Sequence, residues 1–184
     1  MTQVRSTLLQ SSLNSLRTHG QYERYLKVVD PAYRDIILGS LAPEWLPLAV
    51  AEAHYGACDA LGLTPEEMQR IGEDVGDRIQ GTFLGTVVKR ARMLGLTPWV
   101  LLDQFERLWG RLMFGGGVGV YRTAPKDARV EVHHLSLSRY AYFRTAFCGV
   151  IGAGIKLGAG RSVIVHVANG GRVEERLVFK AAWV

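Results

Sequence analysis

The chain has 184 residues, a length that suits one domain of ordinary size. Hydrophobic residues make up 48% and charged residues 21%, which excludes wholesale disorder. The two cysteines, Cys58 and Cys148, have no paired spacing, and the N-terminus is too polar for a signal peptide, so we predict a reduced, cytoplasmic protein. The longest nearly apolar run, residues 146–155, is too short to span a membrane.

The net charge of +5 is concentrated in the C-terminal part. Residues 1–110 contain 11 Lys and Arg against 13 Asp and Glu, whereas residues 111–184 contain 11 against 4. A basic excess of this kind indicates an acidic or anionic partner, although it also serves solubility. Because the basic residues are dispersed and form no stripe with interleaved aromatic residues, nucleic acid is the less favoured partner.

Residues 1–113 predict a helical layer. Leucines spaced three to four residues apart predict a helix over 5–18. Prolines typical of a first helical position predict two further helices, over residues 31–38 and from Pro47 to about residue 61.

A capping box marks the next helix start. In Thr64-Pro65-Glu66-Glu67 the Thr and the second Glu have the spacing at which each side chain bonds the other's backbone N–H. The apolar stripe that follows predicts a helix that continues to about Leu94. Thr97-Pro98 predicts the start of one more helix.

The pattern changes to strands after residue 113. Alternation of apolar and polar residues predicts four strands, and Asn169-Gly170-Gly171 predicts the hairpin turn between the last two. The apolar segment between the two pairs of strands predicts a helix despite its glycines. The predicted strands cover residues 117–123, 129–135, 162–168 and 172–183, and the helix covers residues 138–158.

These elements predict an α+β fold. An N-terminal helical layer, residues 1–113, precedes a ββαββ unit, residues 114–184, with a four-stranded, mostly antiparallel sheet. We expect the two parts to pack as a single domain.

Patterns that suggest cofactor or metal sites have simpler interpretations. The glycines of residues 149–160 lack the spacing of a phosphate-binding loop, and we interpret them as a smooth helix face against the sheet. His54 and Cys58 lie about one helical turn apart but make only two zinc ligands. His133 and His134 are neighbours on a strand and point to opposite faces. We therefore expect no metal and no cofactor.

No catalytic motif is recognisable. Cys148 lies mid-helix among apolar residues, where a thiol is buried and inert. The four acidic residues of the C-terminal part form no obvious acid–base pair. An enzyme that uses Cys148 or His133/His166 on a small substrate is an open alternative to a binding function.

Strand alternation separates two faces of the predicted sheet. The face with Val130, Val132 and His134 is predicted to meet the 138–158 helix. The opposite face is semi-polar. It is exposed to solvent, or it is covered by the N-terminal helices, a partner subunit or a ligand. The candidate ligand- or partner-binding residues of this C-terminal part are Glu131, His133, Ile164, His166, Arg172, Arg176 and Lys180.

Five segments carry a resemblance to known families: residues 45–48 (Trp-Leu-Pro-Leu), 63–72, 81–85, 142–154 and 178–183. On these segments the chain resembles a family of small paralogous myxobacterial proteins, a domain of unknown function. Its ββαββ half also resembles the fold of vinyl-reductase-type ligand-binding domains, TRAPP transport subunits and haem nitric-oxide sensors. This resemblance implies a binding or scaffold domain, often dimeric, with a pocket among the helices.

The resemblance to haem nitric-oxide sensors can be compared with the sequence residue by residue. Haem nitric-oxide sensors place a proximal histidine on a helix before the sheet and hold the propionates with a Tyr-x-Ser-x-Arg motif. Here residues 136–139, Ser-Leu-Ser-Arg, lack the tyrosine and the spacing, and His54 has no supporting context. Haem is therefore disfavoured.

We predict a non-enzymatic binding module for a small apolar ligand or a peptide or protein partner, the peptide adding a strand to the sheet edge. The basic C-terminal part favours an acidic peptide or an anionic headgroup, so charge reversal of Arg172 and Arg176 should weaken binding without unfolding the protein. We also expect a homodimer, because the four tryptophans and the apolar helix faces exceed what one small sheet can cover.

Overall fold

The computed structural model describes residues 1–79, 97–159, 163–170 and 176–184, and it has the predicted α+β class. The helices of these residues are α1 (Ser6–Thr18), α2 (Tyr22–Val28), α3 (Pro31–Gly39), α4 (Leu48–Asp59), α5 (Pro65–Ile79), α6 (Pro98–Leu102), α7 (Phe105–Leu112) and α8 (Ala141–Ala159). The strands are β1 (Gln3–Arg5), β2 (Trp45–Pro47), β3 (Met113–Phe114), β4 (Gly117–Ala124), β5 (Asp127–His133), β6 (Val163–Gly170) and β7 (Leu177–Trp183).

Two predicted helix starts are confirmed by their capping bonds. The Asp30 side chain accepts a hydrogen bond from the backbone N–H of Ala32 at 2.9 Å, at the start of α3. At the start of α5, the Thr64 N–H donates to the Glu67 carboxylate at 2.8 Å, and the Glu67 N–H donates to the Thr64 hydroxyl at 3.3 Å. The predicted continuation of α5 to Leu94 lies outside the described residues.

Three short strands in the helical part were not predicted. They form an antiparallel sheet in the order β2-β1-β3, in which Val4 pairs with both Leu46 and Met113. Strands of two or three residues have no alternation that a sequence pattern can reveal. Two boundaries change with them: Pro47 ends β2, so α4 starts at Leu48, and the helix predicted from Pro98 is divided into α6 and α7.

The sequence predicts a four-stranded, mostly antiparallel sheet, and the observed sheet is antiparallel throughout. Its strand order, β4-β5-β7-β6, was not predicted. α8 connects β5 to β6, which completes the ββαββ order. β6 extends to Gly170, so Asn169 and Gly170 belong to the strand and not to the predicted turn. The strands β4 and β6 are the two edges.

The inner face of this sheet packs against α8, and its predicted apolar residues are buried. Val130 and Val132 of β5 are buried, and the Phe179 ring of β7 lies 5.6 Å from the Phe147 ring of α8. His134 is an exception, because it was expected on this face but is exposed. β5 ends at His133, and His134 has a φ of 56°, which turns its side chain out of the strand alternation.

One hydrophobic cluster extends from the N-terminal helices to the inner face of the sheet. Within this cluster, the glycines of α8 allow close contacts with two elements, the sheet and α5, and only the contact with the sheet was expected. Gly152 faces the sheet, since a Cβ there would lie 3.7 Å from Val165, whereas Gly149 faces the backbone of Gln69 and Glu73 in α5. None of the helices in the described residues is long and apolar enough to cross a membrane.

Candidate functional site

An apolar cavity of about 90 Å³ lies where α5, α6, α7 and α8 meet. Among its described lining residues, only Trp109 and Arg111 carry polar side-chain atoms. The other lining residues are Gly76, Ile79, Leu101, Leu102, Phe105, Leu108, Leu112, Phe147, Val150, Ile151, Gly154 and Ile155.

The periodicity of the helices explains why their apolar side chains converge here. In α7, Phe105, Trp109 and Leu112 recur at a spacing of four and three and turn towards α8, while Glu106 and Gly110 are exposed. The chemistry of the lining therefore follows from local amphipathicity. The cavity itself exists because the lining side chains do not fill the space where the four helices meet.

Aromatic rings form one wall of the cavity and tie it to the core. The Phe147 ring makes edge-to-face contacts with Trp109 at 5.8 Å and with Phe105 at 6.5 Å. The same ring stacks on Phe143 at 5.3 Å. Because Phe147 also contacts Phe179 of the sheet, the wall is held on both sides.

The Trp109 indole, one of the two polar side chains in the described lining, is buried. Its side chain is only 5% exposed, and its Nε1–H has no hydrogen-bond partner among the residues that the structure describes. Trp99 is different, because its Nε1–H donates to the Pro125 carbonyl at 2.9 Å. A buried donor without a partner costs about 1–3 kcal/mol.

The outer face of the four-stranded sheet contains the residues predicted from sequence. Glu131 is 5% exposed, and Arg176 pairs with it at 2.9 Å, Arg129 at 3.0 Å and His133 at 3.4 Å. The structure therefore brings Glu131, His133 and Arg176 together as one ion cluster. Arg172 lies outside the described residues.

A row that includes two cationic side chains, here called the cationic row, crosses the same face. Tyr121, Arg129, Lys180 and His166 are neighbours in register on β4, β5, β7 and β6. The Arg129 guanidinium lies 4.9 Å from the Tyr121 ring centroid. Tyr121 and Arg129 were not among the candidate binding residues predicted from the sequence. Arg129 could have been found, because it is two residues before Glu131 and strand alternation assigns it to the same face.

Ile164 lies one step further along the outer face than this row. It pairs with Ala182 in β7, and its side chain is exposed. It therefore borders the cationic row without belonging to the ion cluster around Glu131.

A second polar group, around His54, is buried between the helices. His54 Nδ1 lies 2.9 Å from the Tyr25 hydroxyl, and His54 Nε2 lies 3.0 Å from the Ser12 hydroxyl. Burial lowers the pKa of His54 to about 3, so the ring is neutral. The Cys58 thiol is 3.7 Å from Nε2, but no group of three or more potential metal ligands occurs in the described part of the chain.

The residues of the enzymatic alternative do not form one site. Cys148 is buried on α8, where its thiol donates to the Arg144 carbonyl at 3.5 Å, and burial raises the pKa of the thiol to about 11. His133 and His166 lie on the outer face of the sheet, whereas α8 packs on the inner face.

The comparisons with known proteins identify the fold. No family model matches the chain, and no curated protein matches it. An H-NOX protein from K. algicida, solved in its Fe(II) unliganded form, matches with a TM-score of 0.71 and 8% identity over 98% of this chain and 96% of that one. An oxygen-binding H-NOX domain related to soluble guanylate cyclases matches with a TM-score of 0.61 and 13% identity, over 97% and 94%.

A third similar structure, from a study of heme distortion in the H-NOX family, has a TM-score of 0.62 and 14% identity, over 97% and 94%. At these identities the similarity shows a shared fold. The expected likeness to the fold of haem nitric-oxide sensors is therefore confirmed. These comparisons add no support for the myxobacterial family.

Proposed function

We propose that the chain is a binding module that holds a small apolar ligand in the cavity between α5, α6, α7 and α8. The observation that carries this proposal is the cavity itself, which is lined almost entirely by aliphatic and aromatic side chains. Ligand sites are characteristically apolar hollows with few polar groups. The shared fold with H-NOX domains supports a ligand-binding role for the same architecture.

The size of the cavity limits the ligand. An engineered apolar cavity of about 150 Å³ remains dry and binds benzene or xenon. The cavity here is smaller, about 90 Å³. The ligand is therefore a molecule of a few non-hydrogen atoms, or one whose binding moves side chains such as Leu108 at the half-buried edge of the cavity.

The described residues do not fit haem. Proteins hold haem iron with His, Cys or Tyr, with Met as a further axial ligand. All five histidines of the chain lie in the described residues, and none lines the cavity; no cysteine or tyrosine lines it either. The helices α6 and α7, which precede the four-stranded sheet, contain no histidine. We therefore propose that the ligand binds to the protein itself, without haem.

Native mass spectrometry of freshly purified protein, compared with the denatured mass, is the first experiment. An excess mass that denaturation removes supports a ligand that co-purifies. The same spectrum reports whether the expected homodimer forms. If the purified protein carries no bound mass, the second candidate function, described below, is favoured.

A variant that fills the cavity tests its location. Gly154 lines the cavity, and a Cβ added there would meet no atom of the described residues within 4 Å, apart from its chain neighbours and the nearby backbone of α8. We expect Gly154→Leu to abolish binding of xenon or benzene, measured by NMR shifts of methyl groups, and thermal denaturation checks that the variant is folded. Equal binding by both proteins would contradict this location.

A second candidate function is the binding of an acidic peptide on the outer face of the sheet. The supporting observation is that Arg129 and Lys180 lie directly opposite each other in register, because like charges placed opposite each other across strands destabilise a sheet unless an anion joins them. Lys180 and His166 are exposed, and Glu131 is the carboxylate that the structure places beside this row.

A charge-reversal pair tests this candidate. An Asp- and Glu-rich peptide is titrated against the native protein, Lys180→Glu, and the control Lys27→Glu on the exposed side of α2. We expect Lys180→Glu to weaken binding at least tenfold and the control to change it less than twofold. Preference for an oligonucleotide, with a steep salt dependence, would favour nucleic acid instead.

A further inference from the structure

A second, smaller cavity borders the one between α5, α6, α7 and α8. Its volume is about 20 Å³, and its described lining comes from α1, α4, α5 and α8. Most of these lining side chains are apolar. Phe147 and Val150 of α8 line both cavities, so these two side chains form a partition between them.

The two cavities follow one another along the contact between α5 and α8. Val75 of α5 and Ala146 of α8 line the smaller cavity. Ile79 and Ile151, four and five residues further along the same two helices, line the larger one. These steps are slightly more than one helical turn. The cavities are therefore successive spaces along one direction, and Phe147 lies between them.

The partition is held firmly in place. Phe147 is buried and stacks on the Phe143 ring at 5.3 Å, and the Phe179 ring of the sheet lies 5.6 Å away. Behind Val150, α5 leaves no room, since a Cβ added to Gly76 would lie 3.1 Å from the Val150 Cα. Because the interior is close-packed, the Phe147 ring does not swing aside without displacing a neighbouring side chain.

We infer that this partition restricts the natural ligand to a compact apolar molecule, with a cyclic or branched skeleton, and excludes an extended alkyl chain. This inference rests on the proposed function, and it adds the shape class of the ligand and the residue that sets it, Phe147. A chain that enters the larger cavity and follows α8 meets the Phe147 ring. A chain that leaves past the half-buried Leu108 loses the burial of its outer CH₂ groups.

Two hydrocarbons with six carbon atoms each test the inference. Cyclohexane is compact, whereas n-hexane is an extended chain. Each CH₂ group that is kept out of an apolar cavity costs about fourfold in affinity. We therefore expect the native protein to bind cyclohexane about tenfold more tightly than n-hexane, measured by NMR shifts of methyl groups. Equal affinity for the two would overturn the inference and leave the proposed function intact, and binding of neither would overturn both.

A variant of the partition assigns the preference to Phe147. Phe147→Leu shortens the side chain between the two cavities, and we expect it to reduce the preference for cyclohexane at least threefold. The matched control is Phe179→Leu, which changes a ring that contacts Phe147 but lines neither described cavity, and it should retain the native preference. An unchanged preference in a folded Phe147→Leu would overturn the role of Phe147.

A measurement on the native protein keeps the inference testable if Phe147→Leu does not fold. The Ala146 methyl group belongs to a residue that lines only the smaller cavity. We expect bound n-hexane to give no intermolecular nuclear Overhauser effect to this methyl group, because the chain stops at Phe147. A clear effect there would show that the chain passes the partition, and it would overturn the inference.

Discussion

Gly72 of α5 lies directly against the backbone carbonyl of Ala146 in α8, so closely that a methyl group on Gly72 would overlap that carbonyl. The contact continues along both helices, because Gly149 faces the backbone of Gln69 and Gly76 faces Ala153. Small residues on both helices bring the two backbones together. Since Gly76 and Ile79 also line the cavity, this crossing sets the position of one cavity wall.

The helix crossing predicts a large effect of a single methyl group. Gly149→Ala should destabilise the protein by about 3 kcal/mol or more, because the new Cβ would overlap the backbone of Gln69, which cannot move as a side chain does. Chemical denaturation measures the change. Gly154→Ala in the same helix is the control, and it should stabilise the protein by about 0.5–1 kcal/mol, as alanine normally does in a helix. Similar stability of the two variants would contradict this packing.

The buried His54 predicts a loss of stability in acid. Its pKa is lowered to about 3 in the folded protein from 6.5, so the unfolded chain binds the extra proton first as the pH falls. The contribution of the neutral ring is complete above pH 6.5 and declines as the pH falls from 6.5 towards 3. At pH 4.5 the loss amounts to about 2–3 kcal/mol.

The difference between variants isolates the His54 contribution. Between pH 6.5 and 4 the unfolding free energy of the native protein falls partly because the unfolded chain takes up one proton at His54. In His54→Gln this part of the pH dependence should be absent. His166→Gln, which changes an exposed histidine, should retain the native slope. An unchanged slope in His54→Gln would show that this ring titrates normally.

The two cysteines should react slowly in the native protein. Both are buried, and burial raises the pKa of each thiol, which keeps the reactive thiolate scarce. With a thiol-reactive disulfide reagent at pH 8, we expect both to label within seconds in denaturant and neither to label within minutes in the folded protein. Peptide mapping assigns the labelled residue. Rapid native labelling of Cys148 would revive the enzymatic alternative.

Charge reversal on the sheet should separate stability from binding. Arg176 pairs with the buried Glu131, so Arg176→Glu should destabilise the protein by about 1–2 kcal/mol, a value reduced because the arginine is partly exposed. The sequence-based expectation that reversal of Arg172 and Arg176 does not unfold the protein stays a prediction, since a loss of this size leaves a typical domain folded. Lys180→Glu changes an exposed cation without a described ion pair and should leave the melting temperature within about 2 °C. Equal effects of the two reversals would contradict the ion cluster.

Local signals in the sequence were sufficient for most of the elements. The capping box of Thr64 and Glu67 acts across three residues, and the alternation in β5 repeats every second residue, so both are visible without knowledge of the rest of the chain. The same alternation placed Glu131 and His133 on the outer face. The three-residue strands and the break between α6 and α7 were missed because segments this short contain no full period.

Only the tertiary structure decided which other residues the faces of the helices and strands contact. Arg176 reaches Glu131 from 45 residues away, and Gly149 was expected against the sheet but lies against the α5 backbone. The periodicity of α7 indicates that Trp109 faces inward, but it does not indicate that the indole N–H finds no acceptor there. Helical and strand periods report which side of an element is apolar, whereas cavities and unpaired donors arise from how side chains of separate elements fill the space between them.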